Sequence, residues 1–301
     1  MSLAELDQVV GAMRAATIDM STEPSQLRKQ VDEMLTAIPV ADDLLVEASI
    51  LAGMDVLISK NANAVEGRAI LYLHGGGYIF GSPRAYLGLA GELGRAANAA
   101  AYIIAYRLAP EHPLPAAIND TVEAYRGLLS KELLPENIAI AGDSAGGGLA
   151  IAALTAIRDA GLPMPVAAVV LSPWVELACE GDSMFLNAAE DPALTRDGLL
   201  ICAKRYLNGA PPTSPLGSPL HADLSKLPPI LIQVGSAEIL LDDASRLARN
   251  AGGSGVDTRL EIWPKMIHVW HAFGFMLAEG REAIQHAGQF LIDHFTIKRV
   301  D

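Results

Sequence analysis

Asn137-Ile-Ala-Ile-Ala-Gly-Asp-Ser-Ala-Gly-Gly-Gly-Leu-Ala-Ile-Ala-Ala-Leu154 decides how this chain folds. Its first part, 137–142, is a short apolar run of the kind that forms a strand buried on both faces. Its last part continues to Asp159 with helix-forming residues, and Gly161 closes the helix. Between them, Gly142-Asp-Ser144-Ala-Gly146 forms a Gly-x-Ser-x-Gly turn. A serine on so sharp a strand-to-helix turn stands clear of the backbone, where its hydroxyl can attack a carbonyl. Gly181-Asp-Ser183 lacks both the second glycine and the preceding strand, so Ser183 reads as a cap or turn residue.

Upstream, the run Ala69-Ile-Leu-Tyr-Leu73 ends in His74-Gly-Gly-Gly-Tyr78. A chain of this composition would contain His-Gly-Gly-Gly by chance only about 0.005 times. Acyl transfer places negative charge on a carbonyl oxygen, and backbone N–H groups fixed in advance stabilise it at least reorganisation. Gly75 and Gly76, with Ala145 behind the serine, are the expected oxyanion donors. Downstream, the serine needs a base, and the base an orienting acid. His268 follows the run Thr258-Arg-Leu-Glu-Ile-Trp263 near the chain end, with His271 as its rival. Glu238 stands nearest the end of Pro229-Ile-Leu-Ile-Gln-Val-Gly235, and Asp242 is the alternative acid.

Similar runs predict strands near 45–49, 52–58, 69–74, 100–105, 137–142, 166–172, 229–235 and 258–263. The intervening stretches predict helices near 84–97, 115–130, 145–159, 242–252 and 278–294. The alternation is that of an α/β protein with a mostly parallel sheet covered on both faces. Two segments stand outside it. Residues 1–40 offer two amphipathic helices, with stripes Leu3/Leu6/Val10/Met13 and Leu27/Val31/Met34/Leu35. Between Leu171 and Pro229 lies a long excursion with a helix near 195–206. These segments are expected to cap the carboxyl edge of the sheet, with 1–40 and 175–215 as cap and 41–174 and 216–301 as catalytic core.

Composition narrows the possible functions. With 51% hydrophobic residues and 19% charged in 301, the chain can bury a full core. Its net charge of −13 opposes nucleic acid and anionic membranes. Cys179 and Cys202 are too few for a disulfide framework or a zinc cluster. No run suggests a membrane span or a signal peptide, so a cytoplasmic protein without stable membrane insertion is expected.

Taken together and in order, the motifs resemble the hormone-sensitive-lipase family of α/β-hydrolases, particularly its bacterial esterases. His74-Gly-Gly-Gly77 resembles its oxyanion block and Gly142-Asp-Ser-Ala-Gly-Gly147 its nucleophile block. Ala105-Tyr-Arg-Leu-Ala-Pro-Glu-His-Pro-Leu-Pro-Ala-Ala117 with Asp120 resembles a second signature, and Leu171-Ser-Pro-Trp174 the segment entering the cap. The resemblance implies an eight-stranded α/β-hydrolase sheet with a helical cap, and a serine carboxylesterase acting on short- to medium-chain esters without cofactor or metal. It also implies a symmetric dimer through the edge strand 258–263. An amidase, carbamate hydrolase or lactonase would use the same residues, and a non-catalytic receptor on the same fold would lack the base. Two positions depart from the family pattern. Glu238-Ile-Leu240 stands where Asp-Pro-Leu is usual, and Lys265 replaces a glycine, so a positive φ there would strain the turn. Arg107, Glu111 and Asp120 read as a salt-bridged scaffold.

Overall fold

The computed structural model describes residues 3–16 and 18–295. The Leu3 side chain, and the outermost parts of the expected 1–40 and 216–301 segments, lie outside the described residues. After α1 (Leu3–Ala15) and α2 (Pro24–Leu35), the chain runs β1 (Leu45–Leu51), β2 (Met54–Lys60), β3 (Ala69–Leu73), α3 (Leu87–Ala96), β4 (Ala100–Ile104) and α4 (Ala116–Ser130). It continues with β5 (Ile138–Asp143), α5 (Ala145–Asp159), β6 (Ala167–Leu171), α6 (Ser183–Leu186), α7 (Arg196–Leu207), β7 (Ile230–Gly235), α8 (Leu241–Gly253), β8 (Thr258–Trp263) and α9 (Ala278–His294). The described residues form one eight-stranded sheet in the order β1-β2-β4-β3-β5-β6-β7-β8. Among them, β2 alone runs opposite to the other strands.

The two-residue side-chain period of a strand sorts the core into layers. Leu71 and Leu73 of β3, Ile138 and Ile140 of β5, and Ala168 and Val170 of β6 face α4, α5 and α8. Ile70 and Tyr72, Ala139 and Ala141, and Val169 and Leu171 face α3 and α9. Each of these twelve side chains is fully buried. That is why their strands read as continuous apolar runs rather than alternating ones.

The second strand begins two residues later than the expected 52–58. Ala52 (φ 49°) and Gly53 (φ 81°) form the tight turn between β1 and β2, and the register pairs Leu51 with Met54. In α2, Leu27 and Val31 are buried, whereas Met34 is 39% exposed and lines a cavity together with Val31 and Leu35. In α1, Leu6 and Val9 carry the buried contact, and Val10 and Met13 are half-buried. Among the described residues, no helix is long and apolar enough to cross a membrane.

Candidate active site

Ser144 sits between β5 and α5 with φ 53° and ψ −122°, a strained backbone for a residue with a Cβ. Its N–H donates to Leu171 O at 2.8 Å. The flanking glycines serve close approach: a Cβ on Gly146 would lie 2.0 Å from Leu73 O, and one on Gly142 2.3 Å from Gly146 O. The loop after β8 brings His268 Nε2 to 3.0 Å from Ser144 Oγ. The loop after β7 brings Glu238 Oε2 to 2.9 Å from His268 Nδ1. Three segments far apart in sequence thus meet as one hydrogen-bonded line beneath a cavity of about 440 Å³.

The rivals are occupied elsewhere. His271 lies in the same loop, but its Nε2 meets Gln233 Oε1 at 3.1 Å, and burial drives its pKa down to about 3. Asp242 accepts the Ser183 N–H at 2.8 Å and braces the insertion against the start of α8. Ser183 opens α6, and its hydroxyl donates to Ile239 O at 2.6 Å. Lys265 has φ 64°, so the lysine does occupy a left-handed turn position. Arg107 pairs with Asp120 at 2.7 Å, while Glu111 pairs with Arg28 of α2 at 2.6 Å.

Gly75 calls for a correction. Its N–H donates to Asp143 Oδ1 at 3.0 Å and is not free for a substrate. The same carboxylate accepts the Tyr72 hydroxyl at 2.8 Å, and burial raises the Asp143 pKa to about 6. Among the described residues, the N–H groups of Gly76 and Gly77 find no acceptor, and both residues line the cavity. Ala145, first residue of α5, likewise has no intrahelical acceptor for its N–H. Spacing alone could not say which N–H groups of a glycine run point inward.

His74 holds this loop from below. Its ring stacks on Tyr106 and Tyr86 with centroids 4.3 Å and 5.3 Å away. Burial lowers its pKa to about 4, so it stays neutral, with Nδ1 2.7 Å from Gly75 O. From above, Tyr206 of α7 stacks on Tyr78 at 3.8 Å with ring planes 4° apart.

Electrostatics bias the imidazole towards its charged form. Burial pulls the His268 pKa down, but the Glu238 hydrogen bond and charge, with Asp191 and Asp143, outweigh it, so the net shift is upward. Burial pushes Glu238 up as well, opposed by His268 and by the Gly235 N–H and Ser172 hydroxyl on its other oxygen. The sequence reading missed Ser172, whose hydroxyl acts on a residue 66 positions away. It also missed the hold of Asp143 on Gly75.

A family model described as alpha/beta hydrolase fold matches residues 70–272. An acetyl-hydrolase of Streptomyces hygroscopicus is 52% identical over 226 residues, covering 75% of this chain and 76% of its own. An esterase of Acinetobacter venetianus is 31% identical, covering 90% of this chain and 89% of its own. The crystal structure of an esterase from the bacterial hormone-sensitive lipase family superposes with a TM-score of 0.95 at 42% identity, over 98% of this chain and all of the other. The chain belongs to the α/β-hydrolase fold family, in its bacterial hormone-sensitive-lipase branch, and is a carboxylic ester hydrolase.

Proposed function

We propose that the protein hydrolyses short- to medium-chain acyl esters through Ser144, His268 and Glu238. The observation that carries this reading is the line from Ser144 Oγ to His268 Nε2 (3.0 Å) and from His268 Nδ1 to Glu238 Oε2 (2.9 Å). Ser144 Oγ attacks the ester carbonyl as neutral His268 takes its proton, and Glu238 fixes the tautomer and stabilises the imidazolium. The N–H groups of Gly76, Gly77 and Ala145 receive the oxyanion. His268 then protonates the departing alcohol, leaving an acyl-enzyme, and water repeats the sequence to release the acid. The cap is assigned to 1–40 and 175–215, since Met13 of α1, Val31 and Met34 of α2, and Leu199 and Cys202 of α7 wall the cavity. A space of about 440 Å³ with mostly apolar walls suits an acyl chain of a few carbons together with its alcohol. The similarity to an acetyl-hydrolase supports the short end of that range.

Ser144→Ala should reduce turnover of p-nitrophenyl acetate and butyrate by at least about a thousandfold with the fold intact. Wild-type turnover by this variant would overturn the assignment. Esters of two to twelve carbons, assayed beside matched anilides, should show a maximum at short chains and little amide cleavage. The chain is further proposed to pair through β8, which is one of the sheet's two outer strands and exposes Ile262. Light scattering on the eluting peak should give twice the chain mass, and Ile262→Lys should give the single-chain mass. A wild-type peak at the single-chain mass overturns the pairing.

A further inference from the structure

Ser172 follows β6 and is fully buried, with φ 47°, a left-handed conformation unfavourable for a residue with a Cβ. Its N–H is held by Gln233 O at 2.7 Å. In this conformation its hydroxyl sits between two loops, donating to Glu238 Oε1 at 2.7 Å and accepting the Val269 N–H at 3.1 Å. Val269 directly follows His268 and is itself left-handed, with φ 50°. One hydroxyl therefore joins the loop carrying the acid to the loop carrying the base. The preceding residue, Leu171, accepts the Ser144 N–H. Two consecutive residues at the end of β6 thus touch all three arms of the site.

We propose that Ser172 is a positioning residue for the relay, locking the Glu238 carboxylate and the His268 loop in one register. This rests on the reading of Ser144, His268 and Glu238 as the triad. The direction of each bond carries the argument. A hydroxyl has one proton to donate, and the Val269 N–H already points at its oxygen, so that proton goes to Glu238. The Gly235 N–H donates to the same Oε1 at 2.6 Å. Two donors occupy Oε1, and among the described residues Oε2 is left to His268 Nδ1 alone. Every partner of the carboxylate is a donor, which is the arrangement an ionised acid requires. Without the hydroxyl, Oε1 loses a donor, the Val269 N–H loses its acceptor, and the side chain gains freedom to swing away from Nδ1. Glutamate is one methylene longer than aspartate, and here the extra reach brings Oε1 to the Ser172 hydroxyl while Oε2 stays on the imidazole. Among the described residues, Ser172 makes no hydrogen bond to Ser144 Oγ and does not line the cavity, so it acts through Glu238 and His268.

The test is steady-state kinetics on p-nitrophenyl butyrate from pH 5 to 9, with melting temperatures, for Ser172→Gly, Ser172→Ala, Glu238→Asp, Glu238→Gln and the Ser172→Gly/Glu238→Asp pair. Ser172→Gly removes the hydroxyl while suiting the positive φ, so it preserves the backbone; Ser172→Ala checks the result with the Cβ retained. Both should lower kcat by about 10- to 100-fold and leave KM within about twofold. Both should move the acid limb of the profile downward as Glu238 loosens from His268. The groups facing the imidazole, Glu238, Asp143, Asp191 and His271, are otherwise unchanged. In the Glu238→Asp background the shorter carboxylate no longer reaches the hydroxyl, so Ser172→Gly should cost less than about threefold further. Wild-type kcat and an unmoved limb in Ser172→Gly or Ser172→Ala, with Glu238→Gln inactive, would overturn the positioning role and leave the triad standing. A lowered kcat with an unmoved limb and additive double mutant would also overturn it, as general damage. Wild-type turnover by Glu238→Gln would instead remove the triad reading itself.

Discussion

Lys265 shows how a single residue can depart from its local geometry without touching the chemistry. Its φ of 64° places a Cβ where the backbone disfavours one, and its N–H is fastened to Ser236 Oγ at 2.8 Å. Left-handed backbone costs a residue with a Cβ about 1–2 kcal/mol, and glycine's extra unfolded-state freedom returns about 0.5–1 kcal/mol of that. Lys265→Gly should therefore raise stability by up to about 1 kcal/mol in urea denaturation, with kcat unchanged; a destabilised variant would mean the lysine side chain holds the turn. The strain was readable from sequence as a conditional, because a missing glycine in a turn is a local matter. The candidate residues Ser144, His268 and Glu238 could be picked out for a similar reason: Ser144 directly follows β5, Glu238 and His268 lie in the loops after β7 and β8, and strand ends are visible in the apolar runs. Gly77 and Ser172 were not. Which amide of a glycine run faces the cavity, and where a left-handed serine sends its hydroxyl, depend on contacts with Asp143, Glu238 and Val269 that only the folded chain brings together.

At the scale of elements, arginines fasten the pieces over the cavity to each other and to the loop beneath. Arg205 of α7 donates to Met20 O, Ser21 O and Thr22 O in the link between α1 and α2. Arg28 of α2 donates to Ile79 O and Ala109 O and pairs with Glu111. The helices of the amino terminus are thus tied both to the insertion and to the stretch that follows the glycine loop. Arg205→Ala should loosen the first tie without reaching Ser144: KM for a butyrate ester should rise about three- to tenfold, kcat should stay within about twofold, and stability should fall by about 2 kcal/mol. An unchanged KM would mean that the two helical parts hold their places independently. Strand positions were legible here to within two residues, since buried runs end sharply at turns. The sheet order was not, because pairing of β4 with both β2 and β3 is settled by packing between elements rather than by any run within one. The insertion's short α6 also escaped notice, its four residues being too few for a helical period to show.

At the scale of the whole molecule, acidic groups from separate parts of the chain converge on one imidazole. Glu238 comes from the loop after β7, Asp143 from the last position of β5 and Asp191 from the insertion, and together they hold the His268 pKa above its ordinary 6.5 despite burial. A base must be neutral to accept the serine proton, so the acid limb of kcat/KM should have its midpoint above 6.5 and activity should plateau on the alkaline side. Asp191 accepts the Ala193 and Leu194 N–H groups with Oδ1 and the Ile239 N–H with Oδ2, outside the hydrogen-bonded line of the site. Asp191→Asn removes its charge while keeping one carbonyl acceptor, so it should move the midpoint downward and leave kcat on the alkaline plateau within about threefold. The same raised pKa works in the opposite sense on stability. A group that binds its proton more tightly when folded stabilises fully below 6.5, and that contribution is lost as pH rises through the folded value. Activity should therefore climb over the pH range in which His268's share of stability declines. A pH–rate profile recorded beside urea midpoints at each pH tests both trends, and a wild-type limb centred below 6.5 would show that burial, not the surrounding carboxylates, governs the imidazole.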